Sequence, residues 1–235
     1  YENIIMNTNL LNAAKNQNVK KVVSLLSTCV YPDSVEYPLT EDQIHNGKPH
    51  PSNFGYAHAK RMLEVHSRAL RQQYNLNYVT AVPNNLYGEG DNFDLKNGHV
   101  IPSIIRKIHE AKKTGVPPVF WGSGKALREF TYSLDIAKAL ITLLDSNYDA
   151  SMPVNIGKTG ETSIWSIAYA VKKILKYDGQ IIWDKKMPEG QYRKPSTNEK
   201  FLTLCPGFKY TDINHGLKNT CSWFLNNYPN VRGVN

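Results

Sequence analysis

The sequence predicts an α/β fold built on a parallel sheet, with a smaller α/β second lobe. Two features lead there. Short apolar runs alternate with segments of helical period, the order of strand–helix–strand units. The first such run, Val19 to Leu26, holds Val19, Val22, Val23, Leu25 and Leu26 without strict alternation, broken by Lys20, Lys21 and Ser24, and reads as a buried parallel strand. At 235 residues and 41% hydrophobic content, the chain can bury the core of one large domain or of a domain and a half.

From the start, Ile4, Ile5, Leu10, Leu11, Ala13 and Ala14 fall at helical spacing over residues 3–16. The Val19 to Leu26 run is the first strand. Residues 27–53 have no period and are punctuated by Pro32, Pro38, Pro49 and Pro51, which predicts a long functional loop. Ala59, Met62, Leu63, Val65, Ala69 and Leu70 mark a helix over 55–74, and Asn77 to Val82 is the next strand. Pro83 to Gly98, rich in Asn and Gly, reads as loop. Ile101 to Lys113 is helical, and Val119-Phe120-Trp121 is a short strand stopped by Gly122-Ser123-Gly124. Leu134 to Leu144 is an apolar helix that starts near Ser133 or Asp135. Val154-Asn155-Ile156 is a strand, Thr162 to Tyr177 a helix capped by its opening Thr-Ser pair, and Gln180 to Trp183 a strand. The last helix runs from Asp212 to Asn227. The later elements are shorter and less regular, which sets the smaller lobe from residue 98 onward.

Composition narrows the function classes. No apolar run approaches the ~20 residues that span a membrane, and no signal peptide opens the chain. The opening Tyr1-Glu2-Asn3 reads as the start of an excised segment. Cys29, Cys205 and Cys221 make neither a disulfide framework nor a zinc spacing, so they read as reduced thiols of a cytoplasmic protein without a metal. The net charge of +8 is spread over doublets at Lys20-Lys21, Lys112-Lys113, Lys172-Lys173 and Lys185-Lys186. No basic stripe is interleaved with aromatics, so a solvated surface is favoured over nucleic-acid binding.

The chemistry concentrates in the first hundred residues. Tyr56 and Lys60 lie four apart on a helix and share a side. An ammonium beside a phenol lowers its pKa and suits it to protonate a carbonyl oxygen while hydride reaches the carbon. Spacing alone is weak, since Tyr169 and Lys173 repeat it on what reads as a surface helix. Ser27 and Thr28 add weight, because they sit at the carboxyl end of a parallel strand, where open α/β sheets bind ligands. Cys29 follows in a polar turn and is a candidate base toward a proton beside a ketone. His99, opening the helix at Val100, is a candidate opposing acid. Lys107, Arg128, Arg193 and Lys194 are candidate pyrophosphate contacts, and Trp121 a candidate platform for a base or sugar. No glycine-rich strand–turn–helix fingerprint precedes this constellation.

In this order the residues resemble the extended short-chain dehydrogenase/reductase family, and most closely the animal form of its branch acting on GDP-4-keto-6-deoxy-D-mannose. The likeness covers essentially the whole chain. It is carried by Leu26-Ser27-Thr28-Cys29-Val30-Tyr31-Pro32-Asp33, Ile44-His45-Asn46-Gly47, Ser52-Asn53-Phe54-Gly55-Tyr56-Ala57-His58-Ala59-Lys60-Arg61-Met62 and Asp91-Asn92-Phe93. Gly98-His99-Val100-Ile101-Pro102, Trp121-Gly122-Ser123-Gly124 with Arg128-Glu129-Phe130, and Thr220-Cys221-Ser222-Trp223-Phe224 complete it. The chain departs from the family at Pro83-Asn84-Asn85 and at Glu89-Gly90.

The resemblance implies a Rossmann-like, doubly wound sheet lacking its first strands and their glycine-rich turn. Residues 1–97 would be the later part of the NADP-binding domain, and 98–235 mainly the GDP-sugar lobe. It implies NADPH-dependent 3,5-epimerisation and 4-keto reduction. Ser27, Tyr56 and Lys60 would form the reductase triad, Cys29 the epimerisation base and His99 the acid. Leu25, Leu26, Ser27, Thr28, Lys60, Pro83, Asn84, Asn85, Leu86 and His99 would line the NADP(H) site. Lys107, Trp121, Arg128, Glu189 and Lys194 would meet the GDP-sugar. A homodimer through the Tyr56 helix and its neighbour is also implied. Two alternatives remain at this point. One is a sugar-nucleotide 4-epimerase or 4,6-dehydratase of the same fold. The other is a non-catalytic homologue that binds nucleotide sugar without the cofactor.

Overall fold

A computed structural model describes residues 1–149 and 151–234. In chain order the elements are α1 (Glu2–Asn16), β1 (Lys21–Leu25), α2 (Phe54–Tyr74), β2 (Asn77–Val82), β3 (Asn85–Tyr87), α3 (Val100–Thr114), β4 (Val119–Trp121) and β5 (Leu127–Arg128). They continue as β6 (Phe130–Tyr132), α4 (Ser133–Asp145), β7 (Val154–Asn155), β8 (Thr162–Ser163), α5 (Ile164–Ile174), β9 (Ile182–Asp184), α6 (Glu199–Leu204) and α7 (Ile213–Asn227). The chain divides into two units, each drawn from separate stretches of sequence. The first takes residues 1–84, 136–159 and 195–209, and the second 85–135, 160–194 and 210 onward.

In the first unit three strands form a parallel sheet, buried along β2 from Tyr78 to Val82 but along β1 only at Ser24. Its order is β1-β2-β7, with Leu25 opposite Ala81 and Val82 opposite Asn155. Helix α2 ends where Asn75 turns left-handed, at φ 53°, a conformation asparagine tolerates better than most residues. Its buried positions include Ala57, Leu63 and Leu70, but also the charged Arg61 and Glu64.

The stretch 27–53, expected to be an aperiodic loop, contains three 3-10 turns: Thr28–Val30, Glu41–His45 and Pro51–Asn53. Val30, Leu39 and Ile44 from this stretch join Leu11, Leu63, Leu70 and Tyr78 in one apolar cluster. Each such burial contributes about 2 kcal/mol, so the loop is part of the core rather than a cover over it.

The second unit holds three short sheets: β3 beside β6, β4 beside β9, both parallel, and β5 antiparallel to β8. Its core joins Ile101, Ile104, Ile105 and Ile108 of α3 to Ile167 and Val171 of α5 and to Leu217, Cys221 and Phe224 of α7. Strand β3 lies in the expected loop and β8 at the start of the expected helix, while β5, β6 and α6 lie where the sequence pattern assigned no element. Segments of two to six residues carry no readable period. Among the described residues, no helix is long and apolar enough to cross a membrane.

Candidate active site

Ser27, Cys29, Tyr56 and Lys60 converge in the first unit. The chain leaves β1 at Leu25, and Leu26 donates its N–H to the Ala81 carbonyl of β2 at 2.8 Å. Ser27 then caps the Thr28–Val30 turn, its Oγ accepting from the Cys29 N–H at 3.3 Å. Tyr56 sits in the first turn of α2, 43% exposed, close enough to Ser27 and Cys29 for both to act on its phenol. Lys60, one turn further on, donates from Nζ to the Leu25 carbonyl at 2.8 Å. Leu25, Leu26, Ser27 and Thr28 thus lie at the carboxyl end of β1, with Lys60 bonded to that end and Tyr56 beside it.

The electrostatics differ from the sequence expectation. Burial pushes the Tyr56 phenol above its usual value, with the Ser27 hydroxyl opposing and Cys29 adding to the rise. Lys60 is not among the causes, because its ammonium turns to the Leu25 carbonyl and lies 6.0 Å from the Tyr56 ring centre. Burial pushes the Lys60 ammonium below its usual value. Tyr56 is therefore a protonated phenol at neutral pH, able to donate. Further along this unit, Pro83 is buried, and Asn84 donates from Nδ2 to the Lys158 carbonyl at 2.8 Å.

The other candidates lie in the second unit. Asn85 opens β3 and donates from Nδ2 to the Glu129 carbonyl at 2.8 Å, with Leu86 next to it in the strand. His99 is exposed at the N-cap of α3 and makes no side-chain capping bond. Lys107, on α3, donates from Nζ to the Val119 carbonyl at 3.0 Å, and burial lowers its pKa. Trp121, at the end of β4, is 61% exposed. Glu189 turns its carboxylate onto the Gly122-Ser123-Gly124 turn and accepts from the Ser123 hydroxyl and from the Ser123 and Lys125 N–H groups. Those donors, the Ser123 hydroxyl first, hold its pKa below the usual carboxylate range. Glu189 therefore shapes the turn that follows Trp121. Arg128, on β5, donates from Nη1 to the Leu127 carbonyl at 2.7 Å. Arg193 pairs with Glu161, and Lys194 is partly buried beside it in the chain.

Sequence reasoning passed over three residues near these groups. Arg61 and Glu64 occupy the buried face of α2, and Glu64 bridges His45 at 2.7 Å and Arg68 at 3.2 Å. Asp91 faces His99 and Arg232, and burial raises its pKa against both. For the first two, the signal was charge at positions in phase with Ala57.

Residues 1–157 match the model of the NAD dependent epimerase/dehydratase family. The chain belongs to that family. Within it, the GDP-L-fucose synthase of Dictyostelium discoideum is 42% identical over 98% of this chain and 72% of its own length. The probable GDP-L-fucose synthase of Drosophila melanogaster is 37% identical over 98% of this chain and 74% of its own. A crystal structure of a GDP-L-fucose synthetase from Naegleria fowleri bound to NADP has the same fold, with a TM-score of 0.94 at 40% identity. It is covered over 74% of its length by 98% of this chain.

Proposed function

We propose that the protein converts GDP-4-keto-6-deoxy-D-mannose to GDP-L-fucose, by inversion at C3 and C5 and NADPH-dependent reduction at C4. The observation that carries the reading is the grouping of Ser27, Cys29 and Tyr56 at the carboxyl end of β1, where Lys60 is bonded to the Leu25 carbonyl. It joins the relatives named above in supporting an enzyme over a binding protein. Cys29 together with His99 favours this reaction over a 4-epimerase or dehydratase, which needs no such base–acid pair to invert a carbon.

The chemistry follows from the ketone. Protons on C3 and C5 are acidic because the neighbouring C4 carbonyl stabilises the enolate. Cys29 takes a proton from one face as base, and His99 returns one from the other as acid. Ser27 holds the C4 oxygen, and Tyr56 protonates it as the carbonyl is reduced. A phenol whose pKa is raised by burial keeps its proton until the oxygen becomes strongly basic, which suits a general acid.

NADPH, when bound, supplies the hydride. A strand end that offers a half-buried ammonium and a phenol fits the ribose and nicotinamide side of such a dinucleotide. Lys60 would hold the ribose. Leu25, Leu26, Ser27, Thr28, Pro83, Asn84, Asn85, Leu86 and His99 would line that side. Lys107, Trp121, Arg128, Glu189 and Lys194 would receive the GDP-sugar, the first unit serving mainly the cofactor and the second mainly the substrate.

A homodimer through α1 and α2 is part of the proposal. Ile4, Ile5, Met6 and Leu10 of α1 and Met62 of α2 are exposed and apolar, as a helix-to-helix interface requires. The cytoplasm is the proposed compartment, in keeping with three free thiols. The test is NADPH oxidation by the protein on addition of GDP-4-keto-6-deoxy-D-mannose. Oxidation coupled to formation of GDP-L-fucose is expected. No oxidation, or oxidation with a different hexose product, would overturn the reading.

A further inference from the structure

A single guanidinium lies beneath the Cys29 turn. Arg61 follows Lys60 on α2 and is 8% exposed. Its Nε donates to the Val30 carbonyl at 2.7 Å, and its Nη1 to the Gly47 carbonyl at 2.8 Å. Val30 closes the 3-10 turn that carries Cys29. Gly47 begins the segment that returns alongside, where the Asp33 N–H donates to the Lys48 carbonyl at 2.9 Å and Pro32 bridges Pro49. Arg61 therefore fastens both passes of the loop to the helix that bears Tyr56 and Lys60.

The turn is held differently at its two ends. At the Ser27 end the sheet holds it, through the Leu26–Ala81 hydrogen bond. At the Val30 end the Arg61 guanidinium holds it. Cys29 is adjacent to the second anchor. We infer that Arg61 is a positioning residue that fixes the Cys29 thiol against Tyr56 and so sets the ratio of inversion to reduction. This rests on the epimerase–reductase reading above.

Packing alone does not account for the residue. A buried cation carries a desolvation cost that an apolar side chain of similar length avoids. Here the Arg61 Nη2 is buried with no hydrogen-bond partner among the described residues, which adds to that cost. What the guanidinium gives in return is a planar fork that sets the separation of two carbonyls. A lysine ammonium, a point charge, does not reproduce it. Proton abstraction is sensitive to such placement, and a shift of about 1 Å costs about 100-fold. Ser27 and Tyr56, anchored by the sheet and by α2 itself, are less affected.

The test compares wild type, Arg61→Met and Arg61→Lys, each turning over GDP-4-keto-6-deoxy-D-mannose with NADPH in D2O. The readout is the ratio of inverted, deuterated product to sugar reduced without inversion. Both variants are expected to lower that ratio, Arg61→Met by about 100-fold and Arg61→Lys by less. Inversion and reduction falling together, or neither falling, would overturn the inference. Loss of folding in both variants would also overturn it, since Arg61 would then be purely structural. A wild-type product without deuterium at C3 and C5 would instead remove the epimerase reading, and this inference with it.

Discussion

Replacing Ser27 by alanine separates chemistry from structure at the end of β1. The hydroxyl does two things: it accepts from the Cys29 N–H at 3.3 Å, and it opposes the rise of the neighbouring Tyr56 pKa. The bond from Cys29 is long for N–H···O, so its capping contribution sits at the low end, about 0.5 kcal/mol. A chain of this length loses about 2–4 °C of Tm per kcal/mol, so the structural effect is about 1–2 °C. Holding the developing C4 oxyanion is worth far more: losing one such donor costs about 100- to 1000-fold in rate. Ser27 also opposes the burial that raises the Tyr56 pKa, so its loss moves that pKa further up and makes Tyr56 a weaker acid. The assay is kcat for NADPH oxidation at saturating substrate, with a thermal melt on the same sample. A kcat near wild type would refute the reasoning. So would a fall in Tm large enough to explain the lost rate by unfolding.

Three further outcomes are expected. Cys29→Ser, which exchanges a thiol for a far weaker acid–base group, should cut deuterium uptake at C3 and C5 from D2O much more than it cuts ketone reduction; equal losses would contradict the assignment. Cys221 is fully buried, and burial raises its thiol from 9.0 to about 12. The raised folded pKa means its stabilising contribution is complete below pH 9, where the unfolded thiol is also protonated. It is lost between about pH 9 and 12 at about 1.4 kcal/mol per pH unit. Urea melts should therefore show a steeper alkaline decline for wild type than for Cys221→Ala, and parallel declines would count against the burial argument. Gly124 has φ +74°, and a Cβ there would come within 2.6 Å of the Trp183 ring. Gly124→Ala should lower stability by about 1–3 kcal/mol, read as a drop in Tm, and an unchanged Tm would contradict it.

The legible parts of the fold were those in which one segment carries its own signal. Asn77 to Val82 announces a strand that is buried from Tyr78 on, whereas Val19 to Leu26, read as a buried strand though broken by Lys20, Lys21 and Ser24, pairs over Lys21–Leu25 and is buried there only at Ser24. Helix α3 shows its apolar stripe through Ile101, Ile104, Ile105 and Ile108, all buried. Illegible were the pairs whose partner is remote. Leu127–Arg128 is a strand only because Thr162–Ser163 lies against it, and neither has a period of its own. The loop 27–53 was read from its prolines as irregular, yet Leu39 and Ile44 are buried in the core by contacts that local sequence does not encode.

The candidate site followed the same division. The spacing of Tyr56 and Lys60 was visible, but so was that of Tyr169 and Lys173, and only the position beside β1 distinguishes them. In the structure the cation over the Tyr169 ring is Lys172, at 5.7 Å, on a helix whose Trp165 stacks on Tyr169. The reach of the Lys60 ammonium to the Leu25 carbonyl, and of Arg61 to Val30 and Gly47, depends on side-chain direction between elements and had no sequence signature. The Glu189 carboxylate, expected at the sugar, accepts from the turn after Trp121 across a separation of more than sixty residues, a contact without a sequence signature.

That one protein both inverts and reduces the same sugar is tested most directly by the isotopic pattern of a product made in D2O with unlabelled NADPH and read by NMR. Inversion through an enolate places solvent deuterium at C3 and C5, and hydride delivery leaves hydrogen at C4. That pattern is the predicted result. Hydrogen retained at C3 and C5, or deuterium at C4, would contradict it.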